Sequence, residues 1–164
     1  KAITKIGNAY RLNVNDTPVS LYVCNVGNPH AVIAVEDVLT ADVAGLGALI
    51  ESHEAFLEKT NVGFVQVVNQ RHIRLRVYER GVGETQACGS GACAAVAIAV
   101  REGWIDEGVD IRVQLYGGSL VVRYQDGYSV VMTGKTNFVY EGVFSPDGLA
   151  ASAGIELTPT EPNY

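Results

Sequence analysis

The chain has 164 residues, 48% of them hydrophobic and 18% charged, with a formal net charge of −6 at pH 7. This length and composition suit one globular domain with a core of useful size. With 12 Lys and Arg against 18 Asp and Glu there is no basic field for nucleic acid, and no apolar run approaches the roughly 20 residues of a membrane span.

The first residues, Lys1-Ala2-Ile3-Thr4-Lys5, do not lead into the apolar stretch of a signal peptide. Residues 19–26 and 30–35 read as strands joined by a Gly27-Asn28-Pro29 turn. Val43, Leu46, Leu49 and Ile50 form one apolar stripe after Thr40 or Asp42 as N-cap, which predicts an amphipathic surface helix. Residues 64–68 and 73–79 read as a strand pair around Asn69-Gln70, and the alternation Ile73-Arg74-Leu75-Arg76-Val77-Tyr78 buries one face. A second helix runs from about Gly91 to Glu102 and stops at Gly103. Its residues 92–100 are apolar on every side, so it is enclosed, and its alanines let a sheet approach closely. Residues 111–115, 120–124, 129–132 and 138–144 continue as a meander, with Gly117-Gly118 and Asp126-Gly127 as hairpin turns. Residues 145–164 carry three of the five prolines and little periodicity, and read as a loose tail. The pattern predicts an α+β fold: a mixed or antiparallel sheet curled around a central apolar helix, with one additional surface helix.

Three cysteines are an odd number, which argues against a disulfide framework and for a reducing, cytoplasmic compartment. No second Cys/His cluster completes a zinc site, so no metal is expected. Cys24, in the run Leu21-Tyr22-Val23-Cys24, reads as a small buried hydrophobe. Cys88 differs, because Ala87-Cys88-Gly89-Ser90-Gly91 places it at the N-terminus of the second helix. Unsatisfied N–H groups and the positive dipole end favour a thiolate there, and the glycines admit an anionic ligand. A free cysteine is often inert and buried, but glycines beside a packed sulfur have no packing value. Cys93, a turn further in, reads as inert.

Three more segments are candidates. Glu79-Arg80-Gly81-Val82-Gly83-Glu84-Thr85 is either a loop bent around a ligand, with Arg80 forked onto a carboxylate, or a solvated charged pair. His30, after Asn28-Pro29, is a general base or a satisfied polar group. Asn61, in Thr60-Asn61-Val62-Gly63, holds a ligand or makes a turn.

Taken in order, Gly27-Asn28-Pro29-His30, Thr60-Asn61-Val62-Gly63-Phe64, Tyr78-Glu79-Arg80-Gly81-Val82-Gly83-Glu84-Thr85 and Ala87-Cys88-Gly89-Ser90-Gly91 closely resemble the C-terminal half of diaminopimelate epimerase over residues 19–142. The resemblance implies an isomerase independent of pyridoxal phosphate and of metals, with no cofactor. Such enzymes interconvert LL- and meso-diaminopimelate for lysine and peptidoglycan synthesis. One cysteine removes the Cα proton as thiolate, and another delivers a proton to the opposite face as thiol. Cys88 matches the second-half cysteine, with His30 and Glu79 matching residues that set thiol protonation. Gly89 and Ser90 match the helix-end groups that bind the α-carboxylate, while Asn28, Asn61 and Arg80 match further substrate-binding residues. The family is usually homodimeric.

Residues 1–18 match poorly, Gly134-Lys135-Thr136 stands where the family has Gly-Pro-Ala, and the half with the other cysteine is absent from this sequence. The expected organisation is therefore a poorly matched segment (1–18), a C-terminal epimerase domain (19–144) and a tail (145–164), whose partner is the missing N-terminal domain. Two other readings stand beside this one. One is another cofactor-independent racemase of the superfamily; the other is a non-catalytic module that captures an amino-acid carboxylate at Gly89-Ser90.

Overall fold

Alternation along the strands decides which face each residue buries, and the two faces carry separate cores. The computed structural model describes residues 3–125 and 129–142. The Asp126-Gly127 turn, the last two residues of the expected 138–144 strand and the 145–164 tail lie outside the described residues. In chain order the elements are β1 (Ile3–Ile6), β2 (Ala9–Val14), β3 (Thr17–Asn25), β4 (Pro29–Ala34), α1 (Val43–Glu51), β5 (Asn61–Asn69), β6 (His72–Glu79), β7 (Gly83–Thr85), α2 (Gly89–Arg101), β8 (Ile111–Leu115), β9 (Gly118–Gln125) and β10 (Ser129–Thr133). They form one mixed sheet in the order β1-β2-β3-β4-β5-β6-β8-β9-β10, with β7 paired to β6. This is the expected α+β class.

The pairs β4–β5 and β6–β8 are parallel, and β5–β6 is antiparallel. The chain thus crosses over twice in the same direction along the sheet with its strands reversed between crossings. Right-handed crossovers then put the two helices on opposite faces. The cores agree. Ala31, Ile33, Val62 and Phe64 pack with Val43 and Ile50 of α1. Val32, Val65, Ile73, Leu75 and Val77 pack with Ala92, Ala95, Val96 and Ala99 of α2.

Asp42 caps α1 by accepting from the Gly45 N–H at 2.9 Å. The buried face of α1 is Val43, Gly47 and Ile50, and Leu49 is exposed instead of lying on the stripe. The reason is Gly47. A Cβ there would lie 2.7 Å from the Tyr78 Cβ, so this bare helix face is the one that can lie flat on β6.

Helix α2 touches β3, β4, β5, β6, β9 and β10. Strands so far apart in one sheet can share a helix only if the sheet curls around it. The enclosure is incomplete, however. Ser90, Cys93, Ala97 and Val100 are half-buried along one stripe, where β3 and β10 do not pair to close the sheet. Gly103, at φ 70°, ends the helix as the sequence predicts.

Three further departures are findings. Residues 3–14 form two strands, and Leu12 and Val14 are buried against Leu21 in the α1 core. Asn15 and Asp16, at φ 47° and 62°, make the two-residue turn into β3. Residues 138–142 form no strand, and Phe138, Val139 and Tyr140 are more than 80% exposed. Cys24 is half-buried rather than fully buried.

Candidate active site

The loop before β4, the β6–β7 turn and the start of α2 meet at one end of the curled sheet. Cys88 is the N-cap of α2: its backbone is extended at φ −136°, ψ 108°, and its Sγ accepts from the Gly91 N–H at 3.4 Å. Gly91 makes this possible, since a Cβ there would sit 3.0 Å from Val77 Cγ2 and 3.2 Å from the sulfur. Ser90 Oγ lies 3.6 Å from Cys88 Sγ and accepts from Asn28 Nδ2 at 3.3 Å. Asn28 Oδ1 in turn faces His30 Nε2 at 3.1 Å. With the ring neutral and Nε2 protonated, every link donates toward the sulfur: His30 to Asn28, Asn28 to Ser90, and Ser90 to Cys88. His30 therefore reaches the thiol through Asn28 and Ser90, without touching it. Its Nδ1 is buried with no hydrogen-bond partner among the described residues.

On the other side stands Glu79, whose nearby carboxylate disfavours a thiolate at Cys88. Its carboxylate is fixed by the Thr85 hydroxyl, which donates to Oε1. Asn61 is 4% exposed; its Nδ2 donates to the Pro29 carbonyl at 2.9 Å and its Oδ1 accepts from the Arg80 N–H at 3.0 Å. Its amide thus ties the start of β4 to the end of β6. The Arg80 side chain lies on the exposed side, where Nη1 donates to the Glu58 carbonyl at 3.0 Å. Seven of the eight residues singled out from the sequence gather here, while Arg80 contributes its main-chain N–H and turns its side chain away.

One expectation fails. The helix terminus alone favours a thiolate, yet burial pushes the Cys88 thiol up from its usual value. The hydrogen bonds from Ser90 and Gly91 oppose this, while Glu79 reinforces it. Cys88 is 5% exposed, so desolvation outweighs the dipole. A cavity of about 420 Å³ opens between β3 and β10 at the first turn of α2, lined by Gly89, Ser90, Met132 and Cys93. Cys93, read as inert, thus lines the same cavity as Gly89 and Ser90.

Glu51 was not among the residues singled out from the sequence. It is 6% exposed at the last residue of α1, and its Oε1 accepts from the Gly81 N–H at 3.0 Å and from Lys59 Nζ at 3.3 Å. The available signal was an acid on the buried stripe at a helix C-terminus, where the dipole disfavours an anion.

The family model for diaminopimelate epimerase matches residues 22–139. The chain belongs to the diaminopimelate epimerase family. It is 74% identical over 159 residues to the diaminopimelate epimerase of Psychrobacter arcticus, and 73% identical over 159 residues to that of Psychrobacter cryohalolentis. In both comparisons 97% of this chain is covered and 54% of the relative. The enzyme from Acinetobacter baumannii is 55% identical over 128 residues, covering 78% of this chain and 45% of its own. The chain thus spans about half the length of the curated diaminopimelate epimerases it matches, and corresponds to the C-terminal half. Among solved structures it is similar in fold to a probable proline racemase from Agrobacterium radiobacter, with TM-score 0.54 and 16% identity, covering 91% of this chain and 58% of that one. A hydroxyproline epimerase from Agrobacterium vitis matches with TM-score 0.50 and 13% identity, covering 80% and 43%. Among the described residues no helix is long and apolar enough to cross a membrane.

Proposed function

We propose that this chain supplies the second-half cysteine and the carboxylate-binding helix end of a cofactor-independent diaminopimelate epimerase, working with the half that carries the other cysteine. The observation that carries this reading is the placement of Cys88. It caps α2 near the Asn28–Ser90 hydrogen bond and the Glu79 carboxylate, and the two residues that follow it, Gly89 and Ser90, line a cavity.

In this reading Cys88 is the thiol at rest. Burial and Glu79 both favour the protonated sulfur. The other cysteine, as thiolate, removes the Cα proton from one face of diaminopimelate. The carbanion then takes the proton from the Cys88 S–H on the other face, so one proton leaves and one arrives. The nascent Cys88 thiolate meets donors already aimed at it, the Ser90 hydroxyl and the Gly91 N–H. Preorganised donors of this kind need no reorganisation as charge develops. The N–H groups at the start of α2 face the substrate carboxylate, where negative charge grows in the transition state. His30, neutral and buried, orients Asn28 and through it the Ser90 hydroxyl.

The test is Cys88→Ala in a chain that carries both halves, with conversion of LL- to meso-diaminopimelate as the readout. Removal of a positioned proton donor costs roughly 10²–10⁴-fold, and Cys88→Ser separates lost chemistry from a lost cap, since serine also caps helices. Both variants are expected to fold and to lose epimerisation. Turnover within tenfold of the parent in either variant overturns the reading and leaves a carboxylate-binding module in its place.

A further inference from the structure

Arg80 and Gly81 each send a main-chain N–H onto a buried side-chain oxygen, Asn61 Oδ1 at 3.0 Å and Glu51 Oε1 at 3.0 Å. Between them they hold the turn that follows Glu79, which the Val82 N–H closes onto the Glu79 carbonyl at 3.1 Å. Gly81 adopts φ 75°, a left-handed conformation that this turn requires and that an L side chain rarely takes. The Glu51 carboxylate comes from α1, on the sheet face opposite α2, and nothing in the proton transfers derived above uses it. Its backbone carbonyl also accepts from the Thr60 N–H at 3.3 Å, so the end of α1 braces both segments that enter the site.

We propose that Glu51 is a positioning residue for the reaction: its carboxylate clamps the Gly81 N–H, fixes the turn after Glu79, and thereby sets where the Glu79 carboxylate meets the Cys88 thiol. The proposal rests on the reading of Cys88 and Glu79 given above. Two features make reach, rather than charge, the working property of Glu51. The Gly81 amide is a single fixed donor that needs one oxygen at one distance. Lys59, the cationic partner, is 55% exposed, and its ion pair with Glu51 at 3.3 Å is an outer contact.

The experiment compares Glu51→Gln with Glu51→Asp in a chain that carries both halves. Glutamine keeps the oxygen at full reach and removes the charge; aspartate keeps the charge and falls one methylene short. Three readouts are taken: hydrogen exchange at the Gly81 amide, the alkylation rate of Cys88 at fixed pH, and kcat against KM. For Asp we expect Gly81 exchange and Cys88 alkylation each to rise about tenfold, and kcat to fall roughly 10- to 100-fold, as misplacement by about 1 Å does. For Gln all three stay within threefold of the parent. The converse pattern, a normal Asp variant and a defective Gln variant, overturns the proposal, as does an Asp variant with unchanged exchange and alkylation. The first two readouts need no turnover. Failure of the Cys88 reading shows separately, as epimerisation that survives Cys88→Ala.

Discussion

His30 is 1% exposed, and burial lowers its imidazole from 6.5 to about 4, partly offset by the nearby Glu79 carboxylate. The unfolded chain takes up this proton near pH 6.5, while the folded chain refuses it until about pH 4. Between those values the unfolded state binds more protons, so stability falls as pH falls; above 6.5 both states are neutral and the full contribution is present. At 1.36 kcal/mol per unit, the loss between pH 7 and pH 5 is about 2 kcal/mol, or roughly 4–8 °C in Tm. Melting curves at those two pH values check this, and His30→Gln should flatten the difference. An acid sensitivity that persists unchanged in His30→Gln would assign it to other groups. The same site shows what a sequence can convey about a residue. The Cys-Gly-Ser-Gly order placed Cys88 at a helix tip, because capping is decided within four residues. It did not convey that the thiol is pushed up, because that depends on burial and on Glu79, which the chain brings in from a distant strand.

Elements are legible where their signal is local and obscured where a neighbour decides. Helix α2 was readable from its alanine run and Gly103, and β6 from strict alternation. The β2–β3 hairpin carried alternation in Tyr10-Arg11-Leu12-Asn13-Val14 and a two-residue Asn15-Asp16 turn, yet its glycine-free turn is a weaker cue than Asn-Gly. Phe138, Val139 and Tyr140 have high strand propensity but remain highly exposed in no strand among the described residues; propensity in a strand is mostly a preference for packing that a partner must supply. In α1 the apolar count pointed to Leu49, while the glycine that allows close approach turned the helix toward Gly47. That geometry yields a prediction. Gly47→Ala gains up to about 1 kcal/mol of helix propensity. It also forces a Cβ to 2.7 Å from Tyr78 Cβ and 2.8 Å from Cγ, atoms held in the body of β6. Overpacking of this kind costs about 1–3 kcal/mol, so the variant should melt below the parent by a few degrees. A rise in Tm would mean that α1 lifts off the sheet without penalty.

At the scale of the whole molecule, the chain encloses α2 and presents Cys88 at its open end, but spans about half of the curated epimerases it matches. Inversion at Cα needs a proton removed from one face and another delivered to the opposite face, and one sulfur at the end of one helix addresses one face. A second thiol of the same helix, Cys93, lines the cavity one turn deeper, and burial pushes it up as well. It belongs to the same helix as Cys88, and its raised thiol is poorly suited to act as thiolate base. We expect the 164-residue chain, incubated with diaminopimelate in deuterium oxide, to exchange Cα at least about 10³-fold more slowly than a chain carrying both halves, since each positioned proton-transfer group contributes roughly 10²–10⁴. Mass spectrometry of the recovered amino acid measures this. Exchange within tenfold of the two-half chain would instead make Cys93 the second acid–base group, and Cys93→Ala in the 164-residue chain would then abolish it.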